Sequence, residues 1–131
     1  MNPEELIAQA QKVRENAYAP YSGFKVGAAL LTVKGNVYTG CNIENSSYGL
    51  TVCAEQAAVA KAVSEGERQF EAIAINAPTG NYCSPCGACR QVLLEFGAGI
   101  EVYMSNDQGE YKLMRVGELL PAAFELKVKD E

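Results

Sequence analysis

Three cysteines and one glutamate stand at spacings suited to metal-assisted hydrolysis: Cys53-Ala54-Glu55 lies upstream of Pro85-Cys86-Gly87-Ala88-Cys89. Ser84 and Pro85 have the chemistry of a helix N-cap and a first helical position. That reading places Cys86 in a first turn and Cys89 three residues on, so both sulfurs share a face and reach one ion with bonds of about 2.3 Å. Thr51 reads the same way as the cap of an earlier helix, with Cys53 in its first turn. Helix N-termini offer unpaired N–H groups and the positive end of the dipole, which stabilise thiolates. Glu55 falls about 200° around the helix from Cys53, so it stands beside the ion rather than on it, within reach of a water there. Three protein ligands leave tetrahedral zinc an open position, the arrangement of a catalytic rather than a structural site.

The same residues have plainer uses. C-x-x-C pairs occur in structural zinc sites, and Cys83-x-x-Cys86-x-x-Cys89 resembles part of an iron–sulfur pattern, although no fourth nearby cysteine followed by Pro accompanies it. Glu55 alone serves as a first-turn partner of the helix dipole. Asn42 and Glu44 fit a solvated strand end, Phe24 and Phe124 a core or an interface, and Tyr48 a packed turn. Cys41 is unassigned, and Cys83 fits a pocket rim or a buried thiol better than a ligand.

Composition narrows the chemistry. The chain has no histidine, which removes Ser-His and Cys-His nucleophile pairs and every histidine metal site, and leaves a carboxylate as the natural general base. Net charge is −5 with no run of Lys or Arg, so a nucleic-acid polymer is not an expected partner and a free small molecule is. Apolar runs fall well short of the roughly 20 residues of a membrane span, and MNPEELIAQAQK lacks a signal-peptide pattern, so no membrane is expected and the cytoplasm is. Five cysteines, an odd number and partly crowded together, suit metal ligands or reactive thiols in a reducing compartment better than disulfides.

The elements that must position these residues fit one domain over 1–131, since 131 residues at 48% apolar composition suffice for a single core. Asn2 as cap, Pro3 and the acids after it open an amphipathic helix over 3–18, with Leu6, Ala10 and Val13 on one face. Phe24 to Val33 and Val37 to Cys41, joined across Lys34-Gly35-Asn36, read as a β-hairpin. The alanine-rich stretch 52–64 is a largely buried helix closed by Gly66, and 85–96 is another. Strands follow at 72–77, 101–105 and 111–114. This order predicts an α/β fold: a three-layer α/β/α sandwich around one mixed sheet of about five strands.

TVCAE, SPCGACRQ, YAPYSGFKVGAAL and CNIEN together resemble the small cytidine deaminases, and the likeness runs from the first helix to Leu119-Leu120-Pro121-Ala122-Ala123-Phe124. Cys53 stands where many zinc deaminases carry histidine, matching the all-cysteine branch. The resemblance implies zinc held by Cys53, Cys86 and Cys89, with an activated water attacking C4 of cytosine. Glu55 takes the water proton, protonates N3 and later helps ammonia leave. It implies hydrolytic deamination of cytidine and deoxycytidine in pyrimidine salvage. Phe24, Asn42 and Glu44 would meet the nucleoside, the last two at the ribose hydroxyls; if extended, residues 42 and 44 share a face with Ile43 opposite. Tyr48 and Phe124 match positions through which relatives complete each other's pockets, which implies a homotetramer with shared active sites. Gln56 departs from the Arg that usually follows the glutamate in this branch. It brings hydrogen-bond donors but no charge to an anionic centre, so Gln56→Arg is expected to lower the pH at which activity rises. Two rivals remain: a deaminase of another small aminopyrimidine nucleoside, and a cysteine-metal module without hydrolysis.

Overall fold

The structure, a computed structural model, describes residues 1–126 and 128; the last residues of the expected 1–131 unit lie outside them. Helix α1 (Pro3–Val13) starts as its sequence predicts, with Asn2 Oδ1 accepting from the Glu5 N–H at 2.8 Å and Pro3 in the first turn. It stops earlier than residue 18. Arg14–Asn16 tighten into a 3₁₀ turn, and Tyr18 N–H is drawn to Asn42 O. The buried face is Leu6, Ile7 and Ala10; Val13 is only half-buried, and Arg14 is buried although charged.

The hairpin forms at the expected turn, but β1 covers only Gly27–Thr32 and pairs antiparallel with β2 (Val37–Cys41). Before Gly27 the regular ladder gives way: Val26 O still accepts from Asn42 N–H at 3.2 Å, but the Asn42 side chain takes the next bonds, its Oδ1 accepting from Val26 N–H and its Nδ2 donating to Phe24 O. The sheet continues through β3 (Phe70–Asn76), β4 (Glu101–Ser105) and β5 (Tyr111–Arg115) in the order β2-β1-β3-β4-β5, with β3 and β4 parallel and the other pairs antiparallel. The expected mixed sheet of five strands is therefore present.

Every residue of β1 is buried because helices cover both faces. Ala29, Leu31, Ala72 and Ala74 pack under α1. Ala28, Leu30, Ile73, Ile75 and Val102 meet Ala58, Val59 and Leu93 on the other face, contributed by α2 (Ala54–Ser64) and α3 (Gly87–Leu94). Two glycines let the helices approach backbone to backbone. A Cβ on Gly27 would lie 1.9 Å from Ala10 O, and one on Gly40 would lie 2.5 Å from Ala58 N. A short α4 (Val116–Leu119), absent from the sequence reading, follows β5 and buries Val116 and Leu119. Among the described residues no helix is long and apolar enough to cross a membrane.

This layout brings two helix starts together. The segment after β3 runs from the carboxyl end of the parallel pair, where open α/β sheets hold their ligands, into α3. On the same side of the sheet, α2 begins directly after the Ile43–Val52 bridge.

Candidate active site

Both helices begin on a cysteine, not on the residues predicted to cap them. Cys53 (φ −77°, ψ 155°) and Cys86 (φ −67°, ψ 169°) are the extended N-cap residues of α2 and α3. Their carbonyls accept the first helical bonds, from Ala57 N–H and Arg90 N–H. The expected caps work elsewhere: Thr51 Oγ1 accepts from Asn45 N–H at 3.3 Å, and Ser84 Oγ accepts from Arg90 Nη2 at 2.8 Å. The displacement has a chemical reason. Sulfur, like the oxygen of a capping serine, accepts from an orphan helix N–H, and Cys86 Sγ does so from Cys89 N–H at 3.5 Å.

The Sγ atoms of Cys53, Cys86 and Cys89 lie within 4.8 Å of one another, and Cys53 and Cys86 are 3.9 Å apart. A tetrahedral ion with zinc–sulfur bonds of about 2.3 Å sets neighbouring sulfurs about 3.8 Å apart, so the cradle fits zinc. All five cysteines are free thiols. Burial opposes ionisation of Cys86, but hydrogen bonds from Cys89 N–H and the neighbouring thiols outweigh it and lower its pKa. Burial pushes Cys53 and Cys89 up, and the nearby Glu55 charge adds to this. Thiols so packed ionise together only around a cation, which reverses the sense of those shifts.

Glu55, in the first turn of α2, is only 5% exposed. Burial pushes its carboxyl above the usual carboxylate range, partly offset by its own N–H and the Cys89 thiol. A carboxyl whose basicity burial has raised is suited both to taking up a proton and to giving it back. It lines a hollow of about 220 Å³ together with Phe24, Asn42, Cys53 and Cys86. Cys83 lines the same hollow as a protonated thiol, its pKa pushed up to about 12 by burial and by Glu55. It lies outside the three-sulfur cluster. Cys41 is the last residue of β2, opposite Gly27.

Asn42 and Glu44 are used differently from a bare pair of ligand-gripping groups. Asn42 clamps the backbone at Phe24 and Val26 as described. Glu44 accepts from the Tyr21 and Ser22 N–H groups at 2.9 and 3.1 Å and from the Ser22 hydroxyl. The Ser22 hydroxyl first, then those amides, hold its carboxyl below the usual range despite some burial. Together they brace the 21–26 loop that carries Phe24. Glu44 and Tyr48 line a second hollow of about 350 Å³, and Thr51 lines both hollows. Phe124 is not brought to the three sulfurs within the chain. It is 71% exposed, and its carbonyl accepts from Gln91 Nε2 on α3. Gln56 Oε1 accepts from Cys53 N–H at 3.2 Å, which turns the amide of this residue into a cap for the α2 start.

Arg90 is a residue the sequence reading missed. Its guanidinium donates to Pro85 O at 2.9 Å, Ser84 Oγ at 2.8 Å and Leu119 O at 2.7 Å, fixing the two residues that lead into Cys86. Its signal was adjacency: an Arg directly after the second cysteine of C-x-x-C points back along the helix toward its start.

The family profile of the cytidine and deoxycytidylate deaminase zinc-binding region matches residues 1–105. A cytidine deaminase of Sporosarcina psychrophila is 54% identical over 125 residues, covering 95% of this chain and 92% of that protein. One from Mycobacterium tuberculosis is 47% identical over 121 residues, covering 92% and 88%. The crystal structure of a cytidine deaminase from Burkholderia pseudomallei superposes with a TM-score of 0.92 at 50% identity, covering 95% of this chain and all of that one.

Proposed function

Because the chain belongs to the cytidine and deoxycytidylate deaminase family with its zinc-binding region, we propose that it hydrolyses cytidine and deoxycytidine to uridine and deoxyuridine plus ammonia. The observation that carries this reading is the single cluster formed by the Cys53, Cys86 and Cys89 sulfurs, with the buried Glu55 lining a hollow beside Cys53 and Cys86. Held by these thiolates, zinc supplies the Lewis acidity that makes water nucleophilic near neutral pH. The Glu55 carboxylate accepts a proton from the attacking water and delivers it to N3 of the cytosine ring, then takes the proton of the new C4 hydroxyl and passes it to the amino nitrogen, so that ammonia leaves as the C4 carbonyl forms. Its burial keeps competing water away from that proton and matches its basicity to both tasks.

Phe24 covers the base, and the loop that carries it is set by Asn42 and Glu44, whose remaining hydrogen-bonding capacity serves the ribose hydroxyls. Tyr48 and Phe124, 77% and 71% exposed on the single chain, close the pockets of neighbouring subunits in a homotetramer. The protein acts in the cytoplasm on free nucleosides in pyrimidine salvage. Purified zinc-loaded protein is expected to lower the ultraviolet absorbance of cytidine and of deoxycytidine with one ammonia released per nucleoside consumed. No turnover of either nucleoside would overturn the proposal.

A further inference from the structure

A charged side chain is buried on the α1 face of the sheet. Arg14, 9% exposed, donates from Nη1 to Asn76 Oδ1 at 2.6 Å and pairs through Nη2 with Asp107. Asn76, wholly buried at the end of β3, spends its amide on Ser105 Oγ at 2.9 Å and Asn106 O at 2.8 Å. Ser105 Oγ in turn donates to Ile75 O at 2.6 Å. The network thus locks residues 105–107 to the carboxyl end of β3. Burying a guanidinium is costly unless every partner is well placed, so such a network holds its members in one arrangement.

Residues 105–107 are also where the segment leading to Cys86 is fastened. Two backbone hydrogen bonds tie it down: Asp107 N–H donates to Thr79 O at 3.1 Å, and Cys83 N–H donates to Ser105 O at 3.3 Å. Between and around these ties Pro78, Gly80, Asn81, Tyr82 and Ser84 are exposed. We infer that Arg14 and Asn76 are positioning residues for the metal-binding segment: from the opposite face of the sheet they fix residues 105–107, and so set where Cys86 meets Cys53. This inference rests on the reading that Cys53, Cys86 and Cys89 hold zinc. It is a claim of mechanical support through contiguous contacts, and it requires a coupling measurement.

The test follows zinc transfer from loaded protein to a coloured chelator, at a temperature where each variant is folded, alongside amide hydrogen exchange of residues 77–89. Arg14→Met removes both donations. Asp107→Ala removes only the exposed anion, and Asp107→Asn keeps an acceptor for Arg14. Leu6→Ala weakens the same α1 layer away from the segment and serves as the stability control. Zinc transfer is expected to be roughly tenfold faster in Arg14→Met and a few-fold faster in Asp107→Ala, the range seen when groups that orient metal ligands are lost. Asp107→Asn and Leu6→Ala should match wild type, and exchange should quicken at residues 79–86 only in the first two. Equal acceleration in Leu6→Ala, or unchanged transfer and exchange in a folded Arg14→Met or in Asp107→Ala, would overturn the inference. Should Arg14→Met not fold, the two Asp107 variants decide it. A wild-type protein without zinc would instead sink the metal reading, and the exchange arm would still judge the support.

Discussion

The floor and the rim of the hollow are built on opposite principles. At the floor, the chain supplies everything itself: Cys89 is wholly buried, Glu55 nearly so, and the two cysteine-capped helix starts are pressed together by one packed core. Around it, Phe24 in the lining of the hollow, Tyr48 in the adjoining hollow and Phe124 outside both are large aromatic groups left 42%, 77% and 71% exposed. An aromatic side chain in water forgoes the burial that stabilises it, so a rim of this kind is a surface shaped for something to cover it. On the proposed reading, chemistry belongs to the single fold and substrate closure to assembly, and variants on each side separate the two.

The largest effect belongs to the floor. Cys89→Ala leaves two sulfurs for the ion, and zinc content should fall to background with cytidine turnover lost; a variant that keeps its full zinc by elemental analysis would mean that another group completes the site. Among the exposed aromatic groups, Phe124→Ala should keep zinc while raising KM for cytidine about tenfold, the loss of one well-packed aromatic contact. Sedimentation of the same variant should reveal weaker assembly, and an unchanged KM and mass would remove Phe124 from the shared pocket. Gly40→Ala strikes the floor through its support, since the new methyl meets the α2 backbone at Ala54 and Ala58. It should cost about 1–3 kcal/mol in urea unfolding, with no change in assembly. The smallest effect is Gln56→Arg. Arg cannot accept from Cys53 N–H as Gln56 does, so stability should drop by about 1 kcal/mol. Its positive charge beside an anionic centre favours the deprotonated form, so the pH at which activity rises should move down. A rise that stays put or moves up would contradict this role for the missing charge.

Local signals made much of the frame legible. Asn2-Pro3 with two following acids set the start of α1, and Lys34-Gly35-Asn36 set the hairpin turn, because capping and turn chemistry act over a few residues. The strand edges and helix starts were less legible. Thr51 and Ser84 look like better caps than cysteine by propensity, yet two cysteines drawn into a cluster take the N-cap positions of both helices, so tertiary demand overrode the local preference. Phe24–Val26 carry strand-like residues but share their hydrogen bonds with the Asn42 side chain, a contact across the hairpin that no local pattern encodes. The clustering of Cys53, Cys86 and Cys89 was legible because their spacing suits three sulfurs around one ion. Arg14 and Arg90 were not, because a guanidinium that braces backbone looks in sequence like any surface cation.

The claim on which the rest depends is that Glu55 moves protons beside an ion it does not hold. Zinc stoichiometry and cytidine turnover, measured on the same preparations of wild type and Glu55→Gln, test it most directly. Both proteins should bind one zinc per chain, with turnover in the variant lower by at least about a hundredfold. Turnover near wild type in Glu55→Gln, or loss of its zinc, would contradict the division of labour between the three sulfurs and the carboxylate.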